Sequence, residues 1–168
     1  IYNEVVKLTG NKNQITAVID LRGPRERARA PYCEGMLEGL KIECILVDFN
    51  EPPVGEKEPG YVKKLIYQKE AIITTIRTII QTSGATLFHC ASGKDRTGVM
   101  AALLQKIAGV SEESIFADYI ASGHDARPQR IRDVLHYLKK IGGVENFIET
   151  LEIDPEDIKK LRNKIMLV

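Results

Sequence analysis

The sequence has little net charge, few cysteines and no long apolar run, and each shortage excludes a class of protein. Lys and Arg number 24 against 23 Asp and Glu, so charge does not indicate a nucleic acid or another acidic polymer as partner. No apolar run is long enough to span a membrane, and no signal peptide opens the chain. We therefore expect no stable membrane insertion.

The three cysteines, Cys33, Cys44 and Cys90, are odd in number and lack the spacing of metal ligands. This pattern indicates a reducing compartment, because paired cysteines are typical of oxidising ones. We expect a cytoplasmic protein that holds neither a metal ion nor another cofactor.

The length and composition predict one globular domain over residues 1–168, with an oligomeric state that the sequence leaves open. Hydrophobic residues make up 43% and charged residues 28%, as in soluble proteins with a packed core. The chain begins at Ile1 without Met, as a chain trimmed at its N-terminus does.

Three apolar, β-branched runs predict buried strands at residues 15–22, 42–47 and 85–89. From Val62 to Ile80, apolar residues recur every three or four positions, which predicts one long helix. A strand, a helix and a strand in this order imply neighbouring parallel strands. Prolines and glycines predict an exposed connection at residues 52–60.

The chain after the third strand has the pattern of successive helices, with glycine stops and an Asp-Pro helix start. The fold class is therefore α/β: a single domain with a central mixed or parallel sheet flanked by helices and a helical C-terminal half. The predicted helices are residues 97–108, 111–122, 127–141 and 144–151, and one that opens at residues 154–157.

The segment between the third strand and the next helix, here called the cysteine loop (residues 89–98), reads HCASGKDRTG. A loop that closes onto a helix N-terminus directs its N–H groups to one point, where the helix dipole adds positive charge. Gly93 lets the backbone curl around an anion, and the fork of Arg96 can bind two phosphate oxygens. The cysteine loop therefore predicts a site for a tetrahedral dianion.

Cys90 lies at the centre of that predicted site, where the same positive field favours a thiolate. A thiolate that faces a bound phosphoryl group is a nucleophile, and the Thr97 hydroxyl can donate to the sulfur and ease its departure. A nucleotide-binding loop is disfavoured, because Asp95 stands where Ser or Thr would hold magnesium.

The cysteine loop resembles the signature of the cysteine-dependent protein tyrosine and dual-specificity phosphatases, in which His precedes Cys-x5-Arg and Thr follows it. The fuller string is similar to the bacterial tyrosine/lipid-phosphatase branch and to the phosphatase-and-tensin type of phosphoinositide phosphatase. The resemblance extends from Ile15 to the C-terminus and implies a phosphotyrosine phosphatase-like fold. It implies hydrolysis of phosphomonoesters through a cysteinyl phosphate. The predicted catalytic residues are Cys90, Arg96, Asp48 and Thr97, and the predicted substrate-binding residues are Ala91, Ser92, Gly93, Lys94, Asp95 and Arg96.

The leaving group needs a proton, so the site should contain a carboxylic acid on a loop. Asp48 follows the second strand, and its Asp-x-Asn-x-Pro-Pro setting resembles the acid loop of phosphoinositide-type members, with Glu51 as an inserted residue. Asp95 is the rival candidate for the acid. Members of the bacterial branch carry the same Lys-Asp pair, and the resemblance implies that this aspartate can serve as the acid there.

The substrate is left open among phosphotyrosine proteins, phosphoserine/threonine proteins and phosphoinositides. The sequence has no tryptophan and six tyrosines, so a deep slot for phosphotyrosine is not evident. Lys94 suits a multiply phosphorylated group, and Arg127, Arg130 and Arg132 are candidates for the same rim.

Two other functions compete with the phosphatase. A catalytically idle phosphate-binding module, a pseudophosphatase, needs only the loop and Arg96. A sulfur enzyme of the arsenate-reductase or rhodanese type also uses a cysteine loop, but Cys33 and Cys44 have no evident relation to this one.

Overall fold

The structure is a computed structural model that describes four stretches of the chain: residues 14–31, 39–50, 60–123 and 127–166. Cys33 lies outside the described residues. So does the connection predicted at residues 52–60, except for Gly60, which begins a helix.

Within the described residues, the sheet has three parallel strands, so the predicted parallel neighbours of the strand–helix–strand unit are confirmed. The strands are β1 (Ile15–Asp20), β2 (Glu43–Leu46) and β3 (Ala85–His89), in the order β2-β1-β3. Val18 of β1 lies opposite Cys44 of β2 and Leu87 of β3. The central strand thus connects the two strands whose following loops were predicted to carry the chemistry.

The helix predicted from Val62 to Ile80 is wrong as a single element, because the chain leaves helical geometry at Gln68. The first piece packs against the helix that begins at Pro128, and the second packs against the helix that begins at Pro155. Gln68, Lys69 and Glu70 interrupt the apolar spacing at the break, but Ile72 and Ile73 resume it seven residues after Leu65 and Ile66, so the pattern still favoured one helix. The described helices are α1 (Pro24–Arg29), α2 (Gly60–Tyr67), α3 (Lys69–Gln81), α4 (Asp95–Ile107), α5 (Glu112–Ala121), α6 (Pro128–Lys140), α7 (Val144–Glu149) and α8 (Pro155–Met166).

The core lies between the sheet and the helices of the C-terminal half. Ile19 and Leu21 at the end of β1 are fully buried with Phe49 and Met100. Helices α3 and α4 both pack on β3. Because α4 begins at Asp95, inside the cysteine loop, this packing fixes the C-terminal end of that loop.

All three strands end at the same edge of the sheet because they are parallel. Backbone hydrogen bonds join their ends: Leu21 N donates to His89 O at 2.8 Å, and Val47 N donates to Asp20 O at 2.9 Å. Ligands of open α/β sheets bind beyond this carboxyl edge. The loop before α1, the segment that follows β2 and the cysteine loop therefore meet there.

A buried ion pair shapes the loop that follows β1. The Asp20 side chain has no exposed surface and accepts hydrogen bonds from Arg22 Nε at 2.9 Å and Nη2 at 2.8 Å. Burial raises the pKa of Asp20, but these hydrogen bonds outweigh it, so the pKa is lowered and the carboxylate stays charged. Arg22 Nη1 also donates to Ala30 O, which ties the end of α1 to the sheet.

Arg22→Met is expected to lower the free energy of unfolding by about 3 kcal/mol, because it leaves the Asp20 carboxylate buried without its cation. Urea denaturation at pH 7 measures the change. Arg25→Met is the matched control, since Arg25 is exposed on α1 and its loss should cost less than about 0.5 kcal/mol. Equal losses in the two variants would contradict the structural role of the pair.

Candidate active site

The cysteine loop connects β3 to α4 in a tight curve around the Cys90 sulfur. Gly93 has φ +71°, a left-handed conformation that side chains rarely adopt, while a Cβ there would meet nothing within 4 Å. Glycine is thus needed for its backbone angle. His89 is buried and its Nδ1 donates to Cys90 O at 2.8 Å, which fixes the start of the loop.

Cys90 is 3% exposed, yet hydrogen-bond donors surround its sulfur. Burial raises the pKa of the thiol, but the Thr97 hydroxyl and the N–H groups of Thr97, Ser92 and Gly93 outweigh it and lower the pKa. The buried Thr97 hydroxyl has no partner at full hydrogen-bond geometry within the described part of the chain, so nothing there competes with the sulfur for its proton. These donors therefore favour the thiolate, the form that acts as nucleophile.

Arg96 is oriented by a carboxylate 70 residues earlier in the chain. Its Nη2 donates to Glu26 Oε1 at 2.6 Å, its Nη1 to Glu26 Oε2 at 2.5 Å, and Nη1 also to Asn50 Oδ1 at 2.8 Å. Hydrogen bonds from Arg96 lower the pKa of Glu26 to about 2, and Glu26 in turn raises the pKa of Arg96. The guanidinium is therefore charged and fixed in direction.

Glu26 and Asn50 were not among the residues predicted from the sequence. Glu26 lies in the first turn of α1, and its Oε2 also accepts from Gly23 N at 3.1 Å, so it is held from two sides. The signal that could have found it is an acidic residue soon after a strand that ends at the same sheet edge as the cysteine loop.

Asn50 links the candidate acid loop to Arg96. Its N–H donates to Asp48 Oδ1 at 3.2 Å, while its own Oδ1 accepts from Arg96. The Asn50 side chain lies against Gly23, where a Cβ would come within 1.7 Å of Asn50 Nδ2. The structure thus brings Asp48, the predicted acid, to the sheet edge that holds Arg96, and leaves Asp48 exposed.

Asp95, the rival acid, is the first residue of α4 and contacts two other helices. Its Oδ1 accepts a short hydrogen bond from Arg130 Nη1 and lies 3.4 Å from the Tyr119 hydroxyl. The Tyr119 ring needs the empty space at Gly98, where a Cβ would lie 2.6 Å from it. Asp95 is therefore held by side chains of α5 and α6.

The three arginines predicted for the rim separate in the structure. Arg130 reaches Asp95, and its guanidinium stacks 4.5 Å from the centre of the Tyr61 ring. Arg132 instead stacks on Phe116, and Arg127 is exposed before α6. Only Arg130, of these three, contacts the cysteine loop in the described structure.

The remaining predicted substrate-binding residues lie in the more exposed part of the cysteine loop. Ala91 and Ser92 are exposed with Gly93, and Lys94 is half-buried at the N-cap of α4. Beside the loop lies a cavity of about 340 Å³, here called the mouth cavity. Its lining residues are Glu26, Asn50, Tyr61, Lys64, Asp95 and Arg96.

The described residues contain no cluster of three or more His, Cys, Asp or Glu side chains that could hold a metal ion. Among the same residues, no helix is both long and apolar enough to cross a membrane. The chemical groups that the structure brings together are thus a thiol with a lowered pKa, a fixed guanidinium, a hydroxyl and two carboxylates.

Comparison with known proteins also indicates a phosphatase. Residues 4–167 match the tyrosine phosphatase family. A tyrosine-protein phosphatase from Nostoc commune is 50% identical over 71 residues, which are 42% of this chain and 21% of that protein. The triple specificity protein phosphatase PtpB of Mycobacterium tuberculosis is 40% identical over 52 residues, 31% of this chain and 18% of its own. The chain spans only 18% to 43% of the curated relatives that it matches.

A solved structure confirms the fold. The catalytic core of Siw14 aligns with a TM-score of 0.52 at 18% identity, covering 98% of this chain and 82% of that one. At this identity the similarity speaks for the fold alone. The predicted phosphotyrosine phosphatase-like α/β fold is therefore confirmed.

Thr97→Val is expected to raise the pKa of the Cys90 thiol, because it removes the side-chain hydrogen bond that lowers this pKa most. The rate of inactivation by iodoacetate, followed against pH, should show its midpoint at higher pH in the variant. Ser92→Ala is the control: Ser92 acts through its backbone N–H, so its midpoint should match the wild type. An unchanged midpoint in Thr97→Val would contradict the assignment of the hydroxyl.

Proposed function

The chain belongs to the tyrosine phosphatase family, and on that premise we propose that it hydrolyses phosphomonoesters through a cysteinyl-phosphate intermediate. The observation that carries this proposal is the Cys90 sulfur, surrounded by donors that lower its pKa and placed next to an arginine that Glu26 fixes. Residues 1–168 would form one phosphatase domain that works in the reducing cytoplasm, without a metal ion or another cofactor. No nucleic acid partner is proposed.

In the first step, the Cys90 sulfur attacks the phosphorus and the bond to the leaving oxygen breaks. Arg96 holds two of the non-bridging oxygens, and the backbone N–H groups of Ser92 and Gly93, which point to the Cys90 sulfur, donate to the phosphoryl group. A carboxylic acid gives its proton to the leaving oxygen, so an alcohol or phenol departs rather than an anion.

In the second step, a water molecule attacks the phosphorus and the sulfur–phosphorus bond breaks. The carboxylate that gave its proton now takes one from this water. The Thr97 hydroxyl donates to the departing sulfur, and the same hydrogen bond that lowers the pKa of Cys90 makes the thiolate a better leaving group. Inorganic phosphate leaves, and the enzyme returns to its starting state.

We assign the acid role to Asp48 rather than Asp95. Arg130 and Tyr119 both engage the Asp95 carboxyl, so a proton-donating role there would break an ion pair. Asp48 is exposed, and within the described residues its carboxylate accepts one hydrogen bond, from Asn50 N–H at 3.2 Å. An acid that gives and takes a proton in each cycle needs such freedom.

The substrate would be a phosphorylated protein side chain, phosphotyrosine or phosphoserine/threonine, or a phosphoinositide. One relative is named for triple specificity, which supports a site that accepts more than one of these classes. The second candidate, a pseudophosphatase that only binds phosphate, is disfavoured because such a module has no need of a thiolate.

Hydrolysis of p-nitrophenyl phosphate in EDTA tests the enzyme against the idle module. We expect turnover by the wild type, and a loss of about a thousandfold or more in Cys90→Ser, because the nucleophile is gone. Binding of inorganic phosphate without turnover in the wild type would favour the pseudophosphatase. Loss of turnover in EDTA would show that a metal ion takes part.

Comparison of two leaving groups tests the acid. Asp48→Asn should lower kcat about a hundredfold with phenyl phosphate, a poor leaving group, and much less with p-nitrophenyl phosphate, which departs without a proton. Asp95→Asn should change both rates by a similar factor, since it removes a partner of Arg130 rather than a proton. The opposite result in steady-state kinetics would move the role to Asp95.

A further inference from the structure

Asn50 contacts both the arginine that would bind phosphate and the residue assigned as the acid. Its side-chain Oδ1 accepts from Arg96 Nη1 at 2.8 Å, and its backbone N–H donates to Asp48 Oδ1 at 3.2 Å. One residue thus joins the phosphate-binding group to the segment that would supply the proton.

The contact with Asn50 uses a part of the Arg96 guanidinium that a phosphate does not need. A guanidinium has five N–H groups. Within the described residues, Nη1 donates to Glu26 and to Asn50, and Nη2 donates once to Glu26. Nε–H and the second Nη2–H lie along one edge, and the hydrogen bond that raises the pKa of Arg96 from the Cys90 side places the guanidinium beside the nucleophile. This edge can bind phosphate while Nη1 keeps its contact with Asn50.

The backbone between Asp48 and Asn50 is held by the core. Phe49 lies between them in the sequence and is fully buried, and its N–H donates to Leu21 O at 3.4 Å. The side chains of Asp48 and Asn50 instead both lie over Gly23, where a Cβ would come within 3.2 Å of Asp48 Oδ1. The core therefore fixes the segment on one side, and the hydrogen bond from Asn50 to the guanidinium fixes it on the side of the site.

We propose that Asn50 is a positioning residue for the acid: its side chain ties the Asp48 segment to Arg96, so that the carboxyl group is held beside the phosphate that Arg96 binds. This inference rests on the proposed phosphatase activity and on Asp48 as its acid. Asn50 need not touch the substrate, because it acts through Asp48. The competing explanation is that Asn50 only orients Arg96, as Glu26 does.

Asn50→Ala separates the two explanations, because it removes the amide and keeps the backbone N–H that bonds Asp48. Glu26 still holds both Nη atoms of Arg96 in this variant. We expect kcat to fall about tenfold with phenyl phosphate, which needs the acid, and less than about twofold with p-nitrophenyl phosphate. Equal losses with the two substrates would mean that Asn50 acts on Arg96 alone, and would overturn the proposal.

Asn146→Ala is the matched control for the loss of an asparagine amide. The Asn146 amide also lies against a glycine, Gly142, and it donates to Ile141 O between α6 and α7. We expect this variant to keep the wild-type ratio of the two rates. A loss with phenyl phosphate as selective as that of Asn50→Ala would contradict the proposal.

Asn50→Leu tests the same link without emptying the space over Gly23. Leucine is close to asparagine in size and shape, but it offers Arg96 no acceptor. We expect the same selective loss with phenyl phosphate. A wild-type ratio of the two rates in Asn50→Leu would overturn the proposal, even where Asn50→Ala fails to fold.

A double variant tests whether Asn50 acts through the acid. In an Asp48→Asn background there is no acid left to position, so adding Asn50→Ala should lower kcat with phenyl phosphate by no more than about twofold. A purely structural role would give a further loss as large as in the wild-type background. That result would overturn the proposal.

Failure of the proposed function gives a different result from failure of this inference. Equal losses with both substrates in Asp48→Asn would show that Asp48 is not the acid, and no turnover in the wild type would show that the chain is not a phosphatase. Either result overturns the inference together with the function on which it rests. A selective loss in Asp48→Asn without one in Asn50→Ala overturns the inference alone.

Discussion

The ion pair between Arg96 and Glu26 is the contact on which the site depends. It joins the start of α4 to α1, and both charges are stabilised: the pKa of Glu26 falls to about 2 and that of Arg96 rises. An arginine without this partner would have many directions open to it, and its fork would meet phosphate in few of them. Glu26 and Asn50 both contact this fixed cation at the mouth of the site.

Contacts at the end of β1 place Glu26 where it can pair with Arg96. Asp20 and Arg22 form a buried ion pair that turns the chain sharply after the strand, and Arg22 holds the far end of α1 through Ala30 O. Glu26 lies between these two anchors. Stability and function are thus linked along one short stretch, since the contacts that hold α1 against the sheet also direct the carboxylate to Arg96.

The sequence pattern predicted those elements whose structure depends on residues that are close together in the chain. The strands are short apolar runs, and Cys90, Gly93 and Arg96 lie together because a strand, a loop and a helix follow each other directly. Glu26 and Asn50 could not be predicted in this way, because their contacts with Arg96 depend on segments that meet only in the folded chain. The break at Gln68 belongs to the same class, since the partners of α2 and α3 lie far along the sequence.

Gly23 shows a different use of glycine from that of Gly93. Its φ is −76°, an ordinary backbone angle that any residue adopts, so the missing side chain and not the backbone explains the glycine. The volume that a methyl group would fill is taken by the Asn50 amide. Positions 23 and 50 therefore share one small space, and across homologous chains a larger residue at the first should accompany a smaller one at the second.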